Sequence, residues 1–99
     1  MKITINKNEE AVLKSLVEES NMNGHDFGFA DGIVAEGLSK RQVSGYISAL
    51  VAKDLIRITD DEYRQTMVRP SAIKHFEPDY DFNHGYWSDE DAWVTIEVK

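Results

Sequence analysis

The chain has 99 residues and a mass of 11.3 kDa, and 41% of its residues are apolar. This is enough sequence for one modest folded domain and too little for a two-domain enzyme. A formal charge of −7 and a pI near 4.8 exclude a protein that coats nucleic acid without sequence preference by neutralising phosphates. The absence of cysteine excludes disulfides, thiolate nucleophiles and cysteine-ligated metals, and fits a reducing cytoplasm.

The acidity belongs to the second half of the chain. Residues 1–58 carry seven basic and eight acidic side chains, whereas residues 59–99 carry four and ten. Six of these acids lie between Glu77 and Asp91, in a stretch with no Lys or Arg that also holds Tyr80 and Trp87; we call residues 77–91 the acidic-aromatic segment. An exposed segment of this kind repels a DNA backbone, so any nucleic-acid surface is expected in the first half.

The first elements in chain order are a short strand and a helix. Ile3 and Ile5 alternate with polar residues, which is typical of an edge strand. Asn6 followed by Glu9 is a helix N-cap pattern, and the apolar residues after it recur at helical spacing, so a helix is predicted from about Lys7 to Ser20. A second, short helix is predicted from Phe29 or Ala30 to Ala35, with Ile33 and Val34 turned inward, before a break at residues 36–38.

The clearest predicted element is the helix at residues 39–53. Ser39 is a good N-cap, Gln42 stands at the third position after it, and Val43, Ile47 and Leu50 begin one apolar stripe that also includes Tyr46 and Val51. Residues 55–59 then switch to a period of two, Asp60-Asp61 is a turn signal, and residues 62–68 resume an extended pattern. A β-hairpin is therefore predicted at residues 55–68.

Three further elements are predicted after the hairpin. Pro70 precedes one turn of helix over residues 71–76, the acidic-aromatic segment is expected to be loop, and residues 93–98 alternate as a C-terminal strand. That strand is expected to pair either with the hairpin or with the strand that holds Ile3 and Ile5. The two tryptophans, Trp87 and Trp93, are expected to cover one end of the core, the alternative being an exposed binding patch.

The run from Leu38 to Ile56, LSKRQVSGYISALVAKDLI, resembles the recognition helix and first wing strand of bacterial winged-helix regulators, the MarR-like group in particular. The usual pattern there is a small or polar cap, Val four residues on, Ile-x-x-Leu and a terminal Lys-Gly-Leu-Ile, in which Asp54 replaces the Gly. The resemblance covers residues 29–68. It implies an α+β fold: a winged helix-turn-helix in which three helices are followed by a β-hairpin wing and a C-terminal strand.

The predicted organisation is therefore one winged-helix domain over residues 1–99. Within it we assign the helix-turn-helix to residues 29–54, the wing hairpin to residues 55–68, the acidic-aromatic segment to residues 77–91 and the C-terminal strand to residues 93–98.

The resemblance implies duplex-DNA binding by a transcriptional regulator, and helical geometry names the side chains that face outward. At 100° per residue, Arg41, Gly45 and Ser48 lie opposite Val43. Arg41 and Gln42 are suited to base edges, and Lys40 and Ser44 to phosphates. The predicted DNA-binding residues are Ser39, Lys40, Arg41, Gln42, Ser44, Gly45, Ser48, Arg57 and Arg64, the last two in the wing.

An alternative function from a different class stays open: an acidic winged-helix protein-protein interaction module, in which the acidic-aromatic segment engages a basic protein partner as a DNA-mimicking inhibitor does. The size of the chain suits a phage or mobile element in either case. MarR-like proteins commonly dimerise through extra terminal helices, for which this chain has no matching sequence, so a homodimer also stays open. It also stays open whether the acidic-aromatic segment binds Lys40 and Arg41 of the same chain and so competes with DNA phosphates, or lies away from them.

Signals for chemistry are weak. His25, His84 and Asp79 lack the spacing of metal ligands, and no Ser/His/Asp set is identifiable, so we predict no catalytic residues, no metal and no cofactor. The N-terminus has no apolar run of signal-peptide length, and no stretch of about 18 apolar residues occurs. These features predict a cytoplasmic protein that is not an enzyme and does not enter membranes.

Overall fold

The computed structural model describes residues 1–22, 28–29, 33–60, 65–80 and 87–99. Within those ranges the elements, in chain order, are β1 (Lys2–Ile5), α1 (Lys7–Met22), β2 (Gly28–Phe29), α2 (Lys40–Ala52), β3 (Ile56–Asp60), β4 (Gln65–Val68), α3 (Pro70–Phe76), α4 (Asp89–Ala92) and β5 (Thr95–Val98). The fold is α+β, as predicted. None of the described helices has both the length and the hydropathy that a membrane crossing requires.

α1 begins at a reciprocal pair of hydrogen bonds between Asn6 and Glu9. The backbone N–H of Glu9 donates to Asn6 Oδ1 and the backbone N–H of Asn6 donates to Glu9 Oε1, each at 2.8 Å. These bonds satisfy N–H groups that the first turn of a helix leaves without partners. The helix extends two residues beyond the predicted end at Ser20, and its apolar stripe is buried: Val12, Leu13, Leu16 and Val17.

The predicted short helix between residues 29 and 35 is wrong where the structure describes it. Phe29 belongs to β2, where it pairs with Gln65, and residues 33–35 are not helical. Val34, expected to face inward, is 75% exposed, and its carbonyl accepts a hydrogen bond from Ser15 Oγ at 2.9 Å. The backbone groups of these residues therefore find partners in β4 and α1. They do not need the hydrogen bonds of the helical turn that the sequence pattern predicted. Residues 30–32 lie outside the described ranges.

Two small sheets flank the helices. β3 and β4 form the predicted antiparallel hairpin, with a register irregularity between Ile58 and Asp60, and β2 joins β4 to give the order β2-β4-β3. β1 pairs with β5 in parallel, Ile3 lying opposite Ile96. Of the two expected partners for the C-terminal strand, the N-terminal strand is therefore confirmed. The predicted turn residue Asp61 and the start of the second hairpin strand, residues 62–64, fall outside the described ranges.

The core lies between α1, α2 and the hairpin. The sequence pattern predicts nine residues at its centre, and Ile58 is the one that is only half-buried. The other eight are buried: Val12, Leu13, Leu16, Ile33, Val43, Ile47, Leu50 and Ile56. Val51, expected in the stripe of α2, is 38% exposed instead. The buried cluster also includes Ile3 and Ile5 of β1, Leu55 before β3, and Ile73 of α3, which packs against α1.

The acidic-aromatic segment was predicted to be loop, but its described part contains one helical turn. It includes the single turn α4, whose end is held by Ser71: Ser71 Oγ donates to the Ala92 carbonyl at 2.8 Å and accepts from the Val94 N–H at 2.6 Å. Trp87 is 2% exposed, so it is not part of an exposed binding patch, although it lies outside the main buried cluster. Trp93, expected to cover the core as well, is 45% exposed. The helical turn predicted after Pro70 is confirmed and begins at Pro70 itself.

Candidate nucleic-acid interface

The N-terminus of α2 is the best-defined local structure on the predicted DNA-binding face. Ser39 Oγ accepts from the Gln42 N–H at 3.2 Å, and Gln42 Oε1 accepts from the Ser39 N–H at 2.8 Å. This capping box is the one the sequence predicted. It has a chemical consequence for recognition, because Gln42 Oε1 is used within the chain and the Nε2 amide is the group left to donate to a base.

Lys40 and Arg41 concentrate positive charge at the same end of α2. Both side chains are exposed, and the first turn contains no acidic residue. The N-terminus of a helix carries a partial positive charge, so cations there are unfavourable by about 0.3–1 kcal/mol each. Among the described residues neither side chain has a hydrogen-bond or ion-pair partner. This end of the helix is therefore suited to an external anion.

The rest of the outward face of α2 is made of small residues. Ser44, Gly45 and Ser48 are exposed, whereas Val43 and Ile47 on the opposite face are buried. A Cβ placed on Gly45 would meet no atom within 4 Å. A helix face without bulky side chains lets another backbone approach closely, so the predicted orientation of α2 is confirmed for these residues.

Arg57 is predicted to reach DNA from the wing. In the structure its guanidinium contacts other side chains of the same protein, and the side chain is 35% exposed. Its Nε and Nη2 atoms each donate to a carboxylate oxygen of Asp54 at 3.0 Å. Its Nη2 atom lies 3.6 Å from Asp91 Oδ2, and its guanidinium lies 4.0 Å from the centre of the Trp87 ring. Binding a phosphate would require Arg57 to leave two acids and an aromatic face. Arg64, the other predicted wing residue, lies outside the described ranges.

Arg69 is a buried cation that the sequence pattern did not reveal. Its Nη1 atom donates to the Asp54 carbonyl at 3.0 Å and lies 3.8 Å from Asp54 Oδ2, and its guanidinium lies 5.4 Å from the Trp87 ring. Burial lowers the pKa of Arg69 below its ordinary value, and the charge of Asp54 opposes that shift. We call Asp54, Arg57, Arg69, Trp87 and Asp91 the Arg–Asp–Trp cluster. It joins the end of α2, the hairpin and the acidic-aromatic segment.

Asp54 stands at the centre of this cluster in a left-handed conformation, with φ of 57°. This is the position where MarR-like sequences have Gly, and Asp tolerates it better than most residues. Hydrogen bonding from Arg57 lowers the pKa of Asp54 from its ordinary value of 3.8, and desolvation by burial opposes that effect. The charged form of Asp54 is therefore the form that the folded protein favours.

We expect Asp54→Asn to lower the stability at neutral pH, because Asn keeps the left-handed conformation but loses the charge that Arg57 and Arg69 contact. A carboxyl whose pKa is lowered by folding stabilises the protein above its unfolded-state pKa and ceases to do so as the pH falls through the lowered value. The difference between wild type and variant should accordingly shrink below pH 3.8. Urea denaturation across this range measures it. Asp79→Asn removes an exposed acid as a control, and an equal loss of stability in that variant would contradict the assignment.

One described acid of the acidic-aromatic segment, Asp91, contacts the wing hairpin. Asp91 lies beside Arg57, and no described residue forms an ion pair with Lys40 or Arg41. Asp81 of this segment lies outside the described ranges, as do His25 and His84. His75 lies 2.8 Å from Glu10, and the part of the chain that the structure describes contains no group of three or more residues suited to hold a metal ion.

Comparisons with known proteins found no relative. No family model matches the chain, and no curated protein or solved structure matches it either.

Proposed function

We propose that this protein binds duplex DNA through the exposed face of α2 and acts as a small cytoplasmic transcriptional regulator. The observation that carries the proposal is the pair of exposed cations, Lys40 and Arg41, at the positive end of a capped helix with no acid in its first turn. A major groove about 12 Å wide accepts one α-helix, whose N-terminal side chains then meet base edges and phosphates.

Each side chain on this face has a distinct role in the proposal. Arg41 and the Nε2 group of Gln42 donate to base edges, because both carry more than one N–H in a fixed arrangement. Lys40 and the Ser44 hydroxyl contact phosphates, which position the helix without specifying sequence. Ser39 contributes through the cap that orients Gln42, and Gly45 and Ser48 permit close approach.

The order of elements gives further support. α2 is followed directly by the β3–β4 hairpin, as a recognition helix is followed by its wing in a winged helix-turn-helix domain. The helix expected before α2 in the helix-turn-helix at residues 29–54 is absent from the described residues, where β2 and non-helical residues 33–39 stand instead. In this proposal Arg64 is the wing residue that reaches the DNA backbone. Arg57 contributes only where a phosphate replaces Asp54 and Asp91.

Titration of a labelled random-sequence duplex by fluorescence anisotropy at low salt tests the proposal, followed by selection from a pool of random duplexes. Affinity should fall with salt, the logarithmic slope being about 0.9 for each phosphate contacted. Selection should enrich one sequence, because Arg41 and Gln42 discriminate between bases. Failure of the selection to enrich any bound sequence at low salt would contradict the proposal.

A second candidate function is the acidic interaction module, and a specific observation favours it. Asp79, Glu90 and Asp91 are exposed, and the second half of the chain carries most of the net charge of −7. Such a surface suits a basic protein that otherwise binds nucleic acid. Stoichiometric binding of a basic nucleic-acid enzyme, together with no binding of DNA, would support this candidate over the first.

We expect Gly45→Ala to separate fold stability from DNA affinity. Alanine in place of a mid-helix glycine should raise the free energy of unfolding by about 0.5–1 kcal/mol, because the new Cβ meets nothing within 4 Å. The same methyl group stands where DNA approaches α2, so the DNA affinity should fall in a more stable protein. Denaturation and anisotropy on the same sample measure the two effects. Unchanged affinity would remove Gly45 from the interface, and Ser48→Ala is the control that adds no bulk.

A further inference from the structure

The side-chain amide of Gln42 has a defined orientation in the first turn of α2. Its Oε1 atom accepts a hydrogen bond from the Ser39 backbone N–H at 2.8 Å, and the Gln42 backbone N–H donates to Ser39 Oγ at 3.2 Å. A backbone N–H can only donate, so the oxygen of the amide, and not the nitrogen, must face it. Among the described residues no side chain or carbonyl accepts from the Nε2 group. The capping box therefore uses the acceptor of Gln42 and leaves its two N–H donors.

A glutamine held in this way differs from an unrestrained one in what it can recognise. An unrestrained glutamine reads adenine with two hydrogen bonds, because Oε1 accepts from the N6 amino group while Nε2 donates to N7. That arrangement needs both atoms of the amide at the edge of the base. In the cap, Oε1 is turned toward the backbone of Ser39, and releasing it would leave an N–H at the start of α2 without its partner. Gln42 consequently meets a base as a donor.

The four bases differ in how well they suit a donor in the major groove. Guanine presents two acceptors, N7 and O6, whereas thymine presents the single acceptor O4 beside a methyl group. Adenine places its N6 donor beside the N7 acceptor, and cytosine offers only the N4 donor. A group that can only donate is therefore expected to bind guanine best and cytosine worst.

Arg41 favours the same base. Its side chain is exposed, and a guanidinium that donates to O6 and N7 of guanine is the commonest specific contact between a protein and DNA. Arg41 and Gln42 are adjacent in the chain, with Cα atoms about 3.8 Å apart, which is close to the rise of about 3.4 Å between base pairs. The first turn of α2 also contains no acidic residue that could accept from cytosine or adenine.

We infer that the DNA target of this protein contains guanines on two neighbouring base pairs, one read by Arg41 and the other by the Nε2 group of Gln42. This inference rests on the proposed function and adds to it the bases that the first turn of α2 selects. Gln42 then has two roles that belong to different atoms: Oε1 caps the helix and Nε2 reads the base.

Gln42→Glu separates these two roles. A glutamate at this position completes a capping box as glutamine does, because one carboxylate oxygen accepts from the Ser39 N–H. The second oxygen replaces the Nε2 donor and can accept from the N4 amino group of cytosine. At the base that Gln42 reads, wild type should prefer guanine over cytosine by about tenfold, and Gln42→Glu should prefer cytosine over guanine by a similar factor.

Two further variants serve as controls. Lys14→Gln makes the same change in net charge as Gln42→Glu, at an exposed position on α1, so it should weaken binding to all duplexes alike and leave every base preference unchanged. Gln42→Ala removes both the acceptor and the donor, so it should bind all four bases at that position with similar affinity. Urea denaturation without DNA checks the cap: Gln42→Glu should be at least as stable as wild type, because an acid in the first turn interacts favourably with the helix dipole.

Competition anisotropy measures the base preferences. Selection from random duplexes first gives a bound sequence for wild type, and each base pair of that sequence is then replaced in turn for wild type and all three variants. One position should be guanine in wild type and should change its preference in Gln42→Glu. Adenine, thymine or cytosine preferred there by wild type, or no change of preference in Gln42→Glu, would overturn this inference alone. A selection that enriches no sequence would overturn the proposed function and this inference with it.

Discussion

Trp87→Ala is expected to lower the free energy of unfolding by about 3–5 kcal/mol, the cost typical of removing a buried aromatic side chain. Trp87 is 2% exposed and lies under the guanidinium groups of Arg57 and Arg69. Its removal leaves a cavity and also takes away the aromatic face on which two cations rest. Arg69 is the more affected of the two, because it is buried and its Nε atom has no hydrogen-bond partner in the described structure.

Trp93→Ala is the matched control for this prediction. Trp93 is 45% exposed and lies 5.3 Å from the Nζ atom of Lys74, so its removal should cost about 1 kcal/mol or less. Urea denaturation of the two variants under identical conditions gives the comparison. Similar losses in both variants would show that the Arg–Asp–Trp cluster does not stabilise the domain as its geometry indicates.

The double substitution Lys40→Ala and Arg41→Ala is expected to weaken specific DNA binding by at least about tenfold. Loss of a base contact from Arg41 should cost about 1–3 kcal/mol, and loss of a phosphate contact from Lys40 should flatten the salt dependence by about one unit of slope. The stability of the fold should not fall, because both cations lie at the positive end of the α2 dipole and their removal relieves repulsion.

A control variant with the same net charge as the Lys40/Arg41 double variant separates the loss of direct contacts at α2 from the general effect of a more negative protein. Lys7 and Lys14 are exposed on α1, so Lys7→Ala with Lys14→Ala removes two positive charges elsewhere. That control should weaken binding only slightly and uniformly across sequences. Equal DNA affinity in wild type and in the Lys40/Arg41 double variant would refute the assignment of α2 as the DNA-binding element.

The elements that the sequence predicted well are those whose signals are local. Ser39 and Gln42 lie three residues apart, so the cap of α2 is visible in the sequence and is found in the structure. Val43, Ile47 and Leu50 repeat at the helical period, so they lie on one face of α2, and that face is buried. Exposure of Lys40 and Arg41 follows directly from that repeat, so the positive face of α2 was also predictable.

What escaped prediction depends on contacts between distant residues. Phe29 is a strand residue because it meets Gln65, and no pattern near Phe29 shows that partner. Arg57 contacts Asp91 across the molecule, so its role in the cluster cannot be read from the hairpin sequence alone. Periodicity describes which side of an element is apolar, but it does not say which other element that side will meet.

The parallel pairing of β1 with β5 also determines how the domain responds to mechanical load. β1 precedes all other elements and β5 follows them, and the strands run in the same direction. A force that draws Lys2 and Val98 apart therefore acts along the strands in opposite directions, so all hydrogen bonds of the ladder are loaded together in shear. An antiparallel pair at the same place would open one bond at a time. We therefore expect the domain to resist a stretching force applied at Lys2 and Val98. Such a force should unfold the core only after all hydrogen bonds between β1 and β5 have broken.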